Sequence, residues 1–507
     1  MNQGMRTPPL TRRDLLRAGT TLAAAMLPAP LRADPYAPLP RPPRPAGAVR
    51  VRGRVTGAGR GLRRVAVSDG ATVVETDRDG RYELVTDGTR AFVTVTVPAG
   101  FAIPRSPTGT ARCFMSIRPG TRGEMSAAFA LEPLRTSDER HALLLLADTQ
   151  TEDTREMQCL HEQTVPDVRA TVAALGDIEV VGVACGDIMF DRLELYPDYE
   201  RAVARTEVPF FQVVGNHDLD QTARTDEDST ATFARHFGPR WYSFERGAVH
   251  YVVLDDVLWH GAGYIGYLDA SQLAWLEADL ARVERGRPVV VMQHIPAFGS
   301  GHLRQGRRRP EPGMAVQNRE ALYRLLEPFR SHILAGHTHE NEHVFEGGAH
   351  EHVVGTVCGA WWSGPICYDG TPNGYGVYEV RGEEITWRHK STGRPADHQL
   401  RLYPPGADPK APDEIVANVW DWDPSWTVTW FEDGERRGAM ARRVGLDPLS
   451  VELHTGPDLP ARRTWVEPMP TAHLFYAPIA RATREVRVEA RDRFGRTYAA
   501  TWRRPAP

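Results

Sequence analysis

Three textures of apolar and polar positions succeed one another along the chain. From 47 to 133, short segments at 49–52, 65–68, 72–75, 81–84 and 92–97 alternate between turn residues, which predicts a small β-sandwich. The run 76–82 predicts a hairpin with Asp79 and Gly80 at its tip. It lacks the third acidic position and the later Glu that an EF-hand loop needs. From 140 to 399, apolar runs at 143–147, 180–184, 210–214, 251–254, 289–292 and 333–334 end in polar clusters and alternate with helical stretches. One such stretch, 271–280, carries Leu273, Leu276 and Leu280 on one face, with Ser271 as its cap. Buried strands with helices between them predict a layered α/β domain. A Pro- and Asp-rich joint at 403–413 leads into alternating segments at 415–419, 427–430, 485–490 and 498–502, with 493–495 as the last hairpin turn. These predict a second small all-β sandwich over 413–507. Trp420, Trp422, Trp426 and Trp430 crowd this unit, and packing in and around its core is favoured over sugar stacking.

The N-terminus has a different character. Arg12 and Arg13, followed by Leu15, Leu16 and an apolar run from 18 to 27, form a twin-arginine export pattern over residues 1–33. That run is too short for a permanent membrane span, and no later segment approaches ~20 apolar residues, so no transmembrane helix is expected. The twin-arginine machinery is therefore the expected partner and the periplasm or exterior the expected location. A Pro-rich linker, 34–46, follows. Five Arg against one Asp give the first 33 residues +4, so their removal takes the chain from −4 to −8. That balance argues against nucleic acid as a partner. The length of 507 residues suits about three domains. Of the five Cys, at least one stays unpaired within the chain, and Cys358 and Cys367 are either bridged or free and buried.

The candidate chemistry lies where the central apolar strands end. Asp148-Thr-Gln150 comes first, then Gly186-Asp187 running to Asp191, then Gly215-Asn216-His217-Asp218, then His294-Ile-Pro296, then Gly336-His337-Thr-His339. In open α/β sheets the carboxyl ends of the strands form the ligand crevice, so all five clusters can converge. A mixed set of carboxylate, amide and imidazole ligands suits two borderline divalent ions better than a thiolate zinc site.

This array resembles the calcineurin-like metallophosphoesterases over 140–399, and the flanking units resemble the N- and C-terminal sandwiches of an exported bacterial subgroup. The unit 47–133 also resembles transthyretin-like sandwiches. The resemblance implies a central four-layer α/β sandwich between two small all-β sandwiches. It implies two divalent metals, Mn or Fe favoured and Zn admitted, acting on a small phosphorylated substrate through a shared, acidified water. Asp148 and His339, with Gln150, are implied at the first metal, Asp187 between the two, and Asn216, His294 and His337 at the second. His217 is implied to assist the leaving group, with Asp218 orienting its ring. Most of the family has His where Gln150 stands, and the harder amide oxygen tilts the first site away from Zn²⁺.

For substrate contacts, Arg304 and its neighbours Arg307, Arg308 and Arg309 either grip phosphate or form a solvated basic loop. Trp361, Trp362, Asn373 and Tyr375 either line an aromatic pocket or pack a core. A cell-envelope polysaccharide-binding protein with an inactive metal domain is the competing function. The intact ligand array favours the phosphoesterase.

Overall fold

The computed structural model describes residues 47–87, 89–117 and 123–506. The expected signal segment and Pro-rich linker lie outside them. Among the described residues, no helix is long and apolar enough to cross a membrane.

The first unit is built on the strand Val49–Gly57, which pairs antiparallel with Arg81–Thr86 and parallel with Glu124–Ser126 and Phe129–Leu131. A second sheet joins Val73–Glu75, Ala66–Ser68, Phe92–Val95 and Phe114–Ser116. Arg81–Thr86 alternates exposed and buried positions without a break, sending Tyr82 and Leu84 into the same apolar cluster as Val67, Val93 and Val95 of the other sheet. The turn at Asp79 and Gly80 therefore differs from expectation. The strands on either side of it belong to different sheets, so it is a crossing between sheets and not a hairpin.

The central unit holds two mixed sheets. One runs Phe210–Val213, Glu179–Cys185, Arg140–Leu146, Gly374–Arg381, Glu384–Ser391, with the first three strands parallel. The other runs Tyr242–Arg246, Val249–Val253, Pro288–Met292, Arg330–Ala335, Ala349–Val353, Glu342–Glu346, with the middle four parallel. Alternation divides each strand between two environments. Leu143, Leu145, Val181 and Val183 of the first sheet join Phe244, Tyr251, Val290 and Met292 of the second in one core. Leu144 and Leu146 face the other way, onto Met157, Val168, Tyr199 and Val203 of the helices Thr154–Cys159, Val165–Leu175 and Tyr196–Thr206. Val289, Val291 and Ile333 likewise take Trp275, Leu276 and Leu322 from the helices Ala270–Leu280 and Arg319–Leu326. The cap of Ala270–Leu280 is Asp269, whose carboxylate accepts from the N–H groups of Ser271 and Gln272, two residues earlier than the expected Ser271 cap.

The third unit has two further four-stranded sheets sharing one apolar cluster. Trp420 and Trp426 are buried, and Trp422 and Trp430 pack against the cluster, so these rings are committed to the core. The last hairpin, Glu485–Arg491 with Thr497–Arg503, forms as expected. The cysteines are free thiols, Cys358 and Cys367 included.

His250 pins the second sheet to its helix layer. Its ring nitrogens meet Glu245 Oε1 and Asp279 Oδ2, each at 2.8 Å. Burial opposes its charge, but the two carboxylates outweigh burial and raise its pKa from 6.5 to about 10. A raised pKa stabilises the fold fully below the unfolded value and ceases to do so as pH rises through the folded one. Urea denaturation of the wild type minus His250→Gln is therefore expected to show a stability difference that is largest near pH 6 and shrinks towards pH 10.

Candidate metal centre

Each expected ligand sits just beyond the carboxyl end of a parallel strand, where the two sheets meet. Asp148 follows Arg140–Leu146, Asp187 follows Glu179–Cys185, Asn216 follows Phe210–Val213, His294 follows Pro288–Met292, and His337 follows Arg330–Ala335. The chain turns sharply to aim these side chains. Asp148, Gln150, Asp187, His337 and His339 all hold left-handed backbone, with φ of 48°, 39°, 47°, 69° and 49°. Such conformations cost about 1–3 kcal/mol each for residues with a Cβ and cluster at functional sites. Close packing adds to the constraint. A Cβ on Gly186, itself at φ +77°, would lie 2.3 Å from His294 Nδ1, and one on Gly336 would lie 2.3 Å from Asp148 Oδ2.

The hydrogen bonds behind the rings set their tautomers. His294 Nδ1 donates to the Cys185 carbonyl at 3.0 Å, leaving Nε2 as a lone pair. His337 Nε2 donates to the Gly313 carbonyl at 2.9 Å, leaving Nδ1 as a lone pair. Those two lone pairs face each other at 3.2 Å, with Asn216 Oδ1 3.1 Å and Asp187 Oδ1 3.2 Å from His294 Nε2. Donor atoms ~2.0–2.2 Å from a shared ion stand about this far apart. A second pair repeats the motif. His339 Nδ1 donates to the Gly359 carbonyl at 2.6 Å, so Nε2 is a lone pair, 3.4 Å from Asp148 Oδ1. Both of these atoms are buried and lack any hydrogen-bond partner. Unpartnered acceptors cost ~1–3 kcal/mol each, and cations relieve them. The residues present therefore fit a pair of divalent metals. Gln150 joins them by donating from Nε2 to Asp187 Oδ2 at 2.6 Å. An amide turned half a revolution presents its oxygen there instead.

The electrostatics demand positive charge at the same place. Burial opposes a charged His294, yet Asp187 outweighs it and raises the imidazole to about 10, so that a proton takes the Nε2 lone pair wherever a metal ion does not. Burial and then His294 drive His337 down to about 3. Burial likewise works against charge on Asp187, but His294 and His217 hold its carboxyl well below the usual range.

His217 sits at the rim with a quarter of its side chain exposed. Its Nδ1 meets Asp191 Oδ1 at 2.8 Å and its ring stacks on Phe190 with centroids 4.4 Å apart. Asp218 does not orient it, contrary to expectation. The Asp218 carboxylate accepts from the N–H groups of Gly215, Ile188 and Met189 and from the Tyr196 hydroxyl, so it knits two ligand loops together. Burial opposes charge on His217, but Asp187 and Asp191 raise its pKa above the ordinary value.

The expected substrate contacts divide. Arg304 is buried between Glu340 and Glu342 and donates to the Pro470 carbonyl at 2.8 Å, so it ties the third unit to the central one and does not grip phosphate. Tyr375 is fully buried, with its hydroxyl on Asp167 and Thr171, because its strand turns that side chain to the helices. Trp362 packs beside the helical core and donates to the Thr149 carbonyl at 3.0 Å. Asn373 donates to the Gly364 carbonyl and braces the turn at Gly359. Only Trp361 reaches the ligands, stacked on His339 at 4.0 Å.

Other contributors lacked a local signal. Asp256 Oδ1 accepts from the N–H groups of His294 and Ile295, fixing that turn. From the third unit, Trp465 packs on Trp361 at 4.6 Å, and the Arg463 guanidinium lies 4.6 Å over the Phe190 ring while pairing with Glu152.

Residues 142–341 match the family model for calcineurin-like phosphoesterase, and residues 49–134 and 351–498 match the models for the N-terminal and C-terminal parts of the same family. The chain belongs to the calcineurin-like phosphoesterases. Within this group it is similar to human serine/threonine-protein phosphatase CPPED1, with 29% identity over 126 residues covering 23% of this chain and 40% of that one. The Bos taurus CPPED1 matches at 28% over 229 residues, 41% of this chain and 66% of that one. Arabidopsis thaliana purple acid phosphatase 13 matches at 28% over 142 residues, 25% of this chain and 24% of that one. The match thus spans about two fifths of the human relative's length. Among solved structures, the purple acid phosphatase PPD1 from yellow lupin is 12% identical, covering 64% of this chain and 67% of that one with a TM-score of 0.36.

A site that favours cations couples their binding to folding. Addition of Mn²⁺ to chelator-stripped protein is expected to raise the Tm progressively and to add about 2.7 kcal/mol of stability at one hundred times Kd. Asp187→Asn is expected to remove most of that dependence, measured by thermal melts across a Mn²⁺ series.

Proposed function

We propose that the chain is an exported dinuclear-metal phosphoesterase. The reading rests on one observation above others: two sets of opposed lone pairs are joined where Asp148 Oδ2 accepts from the His337 N–H, with the Asp187 carboxylate against His294 of one set and held on its other oxygen by Gln150. On this reading Asp148, His339 and Gln150 hold one cation, Asn216, His294 and His337 the other, and Asp187 bridges them. Bound there, such a pair supplies an acidified water and charge neutralisation for the phosphoryl oxygens. The oxygen and amide donors favour Mn or Fe over Zn. The twin-arginine pattern at Arg12 and Arg13 supports export of an already folded, metal-loaded chain. The two flanking all-β units are read as sandwiches.

The chain's own groups complete the site. Asp191 occupies Nδ1 of His217, so Nε2 is the nitrogen left to give a proton to the leaving oxygen. The raised pKa keeps that proton on the ring near neutral pH. Trp361 and Trp465 wall the opening on the side of His339. A small phosphorylated molecule suits an entrance made by these rings and Arg463.

The test is turnover of chromogenic phosphate mono- and diesters by the Mn²⁺-loaded protein. Asp187→Asn is expected to abolish activity. His217→Ala is expected to lose ~10²–10⁴-fold while keeping its metal content, with a smaller deficit for a nitrophenolate leaving group than for an alkoxide. Equal deficits for both would contradict the general-acid role. Asp191→Ala is expected to lose less than His217→Ala and to shift the basic limb of the pH–rate profile to lower pH, since Asp191 raises the pKa of the ring and positions it without touching the ester.

A further inference from the structure

A second histidine cluster stands apart from the metal centre. His332 is inside the strand Arg330–Ala335, whereas His337 follows the end of that strand, so the cluster lies back along the sheet from the metal centre. Register sets His332 beside His350 on the parallel neighbour, and His343 beside His352 on the antiparallel edge pair. His350 and His352 share one face of their strand, two residues apart. His332 Nδ1 is 3.0 Å from His352 Nε2, and one ring nitrogen from each of His332, His350 and His352 falls within 4.8 Å of the other two. Elsewhere this face carries apolar side chains such as Leu334, Tyr251 and Val290. Three imidazoles here forgo that packing, and His352 Nδ1 is buried with no partner.

The surroundings are those of ligating imidazoles. Asp421 Oδ1 accepts from His343 Nε2 at 3.0 Å, so His343 Nδ1 accepts from His350 Nε2 at 3.0 Å. That chain leaves His350 Nδ1 as a lone pair. The carboxylate thus acts at one remove, through His343, to fix the tautomer of His350, as outer hydrogen bonds do for metal-bound histidines. Burial favours the neutral, ligating form of all three rings, lowering His332 to about 4 and the other two further. The nearby Arg493 guanidinium is paired with Asp423. Trp387 closes one side, its ring centroid 4.6 Å from that of His352 and 5.1 Å from that of His350. On the other side His332 and His350 line an open cleft of about 440 Å³, together with Glu346. The cleft gives an ion a way in and leaves room for water as a further ligand.

We propose that His332, His350 and His352 form a second metal site, separate from the metal centre, which takes one borderline divalent transition ion of the Zn²⁺ class. Three neutral imidazoles without carboxylate ligands suit Zn²⁺, Co²⁺, Ni²⁺ or Cu²⁺ and discriminate against Mg²⁺ and Mn²⁺. The ion ties the strands Arg330–Ala335 and Ala349–Val353 together.

The full chain carrying Asp187→Asn is the material for the test, so that the bridging carboxylate of the other site is gone. It is equilibrated with Zn²⁺ for elemental analysis and with Co²⁺ for visible absorption. One equivalent of Zn²⁺ that depends on the cluster is expected. His332→Ala, at the edge of the open cleft, is expected to weaken that equivalent at least ~10-fold, as is Asp421→Asn. The double variant His350→Gln, His352→Gln is expected to remove it and its Co²⁺ bands. Unchanged Zn²⁺ affinity in His332→Ala would overturn the proposal, as would no Zn²⁺ bound by the Asp187→Asn chain. If the double variant fails to fold, His332→Ala decides alone.

Discussion

Lone pairs that face each other where the two sheets meet organise this molecule. His294 Nε2 and His337 Nδ1 stand 3.2 Å apart, and Asp148 Oδ1 and His339 Nε2 stand 3.4 Å apart, the second pair buried with no hydrogen-bond partner at all. Neither arrangement is stable without positive charge between its members. The backbone is shaped to reach it. Five left-handed residues with side chains, and glycines whose replacement would collide with the ligands, are tolerable only because two packed sheets hold the strand ends rigidly. The apolar core between Leu143, Val183, Tyr251 and Met292 therefore serves the site directly, by fixing the positions from which each loop departs.

Much of this was legible from the chain. A continuous apolar run ending in Asp, Asn or His marks a buried parallel strand and its crevice end, and each of the six runs became such a strand. What escaped detection had physical reasons. The strands Glu342–Glu346 and Ala349–Val353 carry Glu and His at inward positions, so they lack the apolar pattern that announces a strand. Asp218 and Asp191 are both acids close to His217 in sequence or space, and only the fold reveals that Asp218 is spent on backbone N–H groups while Asp191 reaches the ring. Arg304 looked like a free cation because Glu340 and Glu342, its partners, lie more than thirty residues away. Tyr375 and Trp361 both follow the last ligand cluster, yet strand alternation sends the first to the helices and a left-handed turn sends the second to His339.

The third unit is more than an appendage to the central one. Its loop carries Arg462 and Arg463 to Glu152, Asp153 and Glu156, and Trp465 to Trp361. These contacts bring residues far apart in sequence to the rim of the ligand cluster. The third unit thus shapes the surroundings of the ligand cluster, while the ligand loops themselves belong to the central one.

The central claim is that two cations share Asp187. Anomalous diffraction at the manganese edge, from crystals of Mn²⁺-loaded protein, addresses it most directly. The account predicts two peaks ~3.5–4 Å apart on either side of the Asp187 carboxylate. One should be contacted by Asp148 and His339 and the other by Asn216, His294 and His337. A single peak, or two peaks without Asp187 between them, would contradict it.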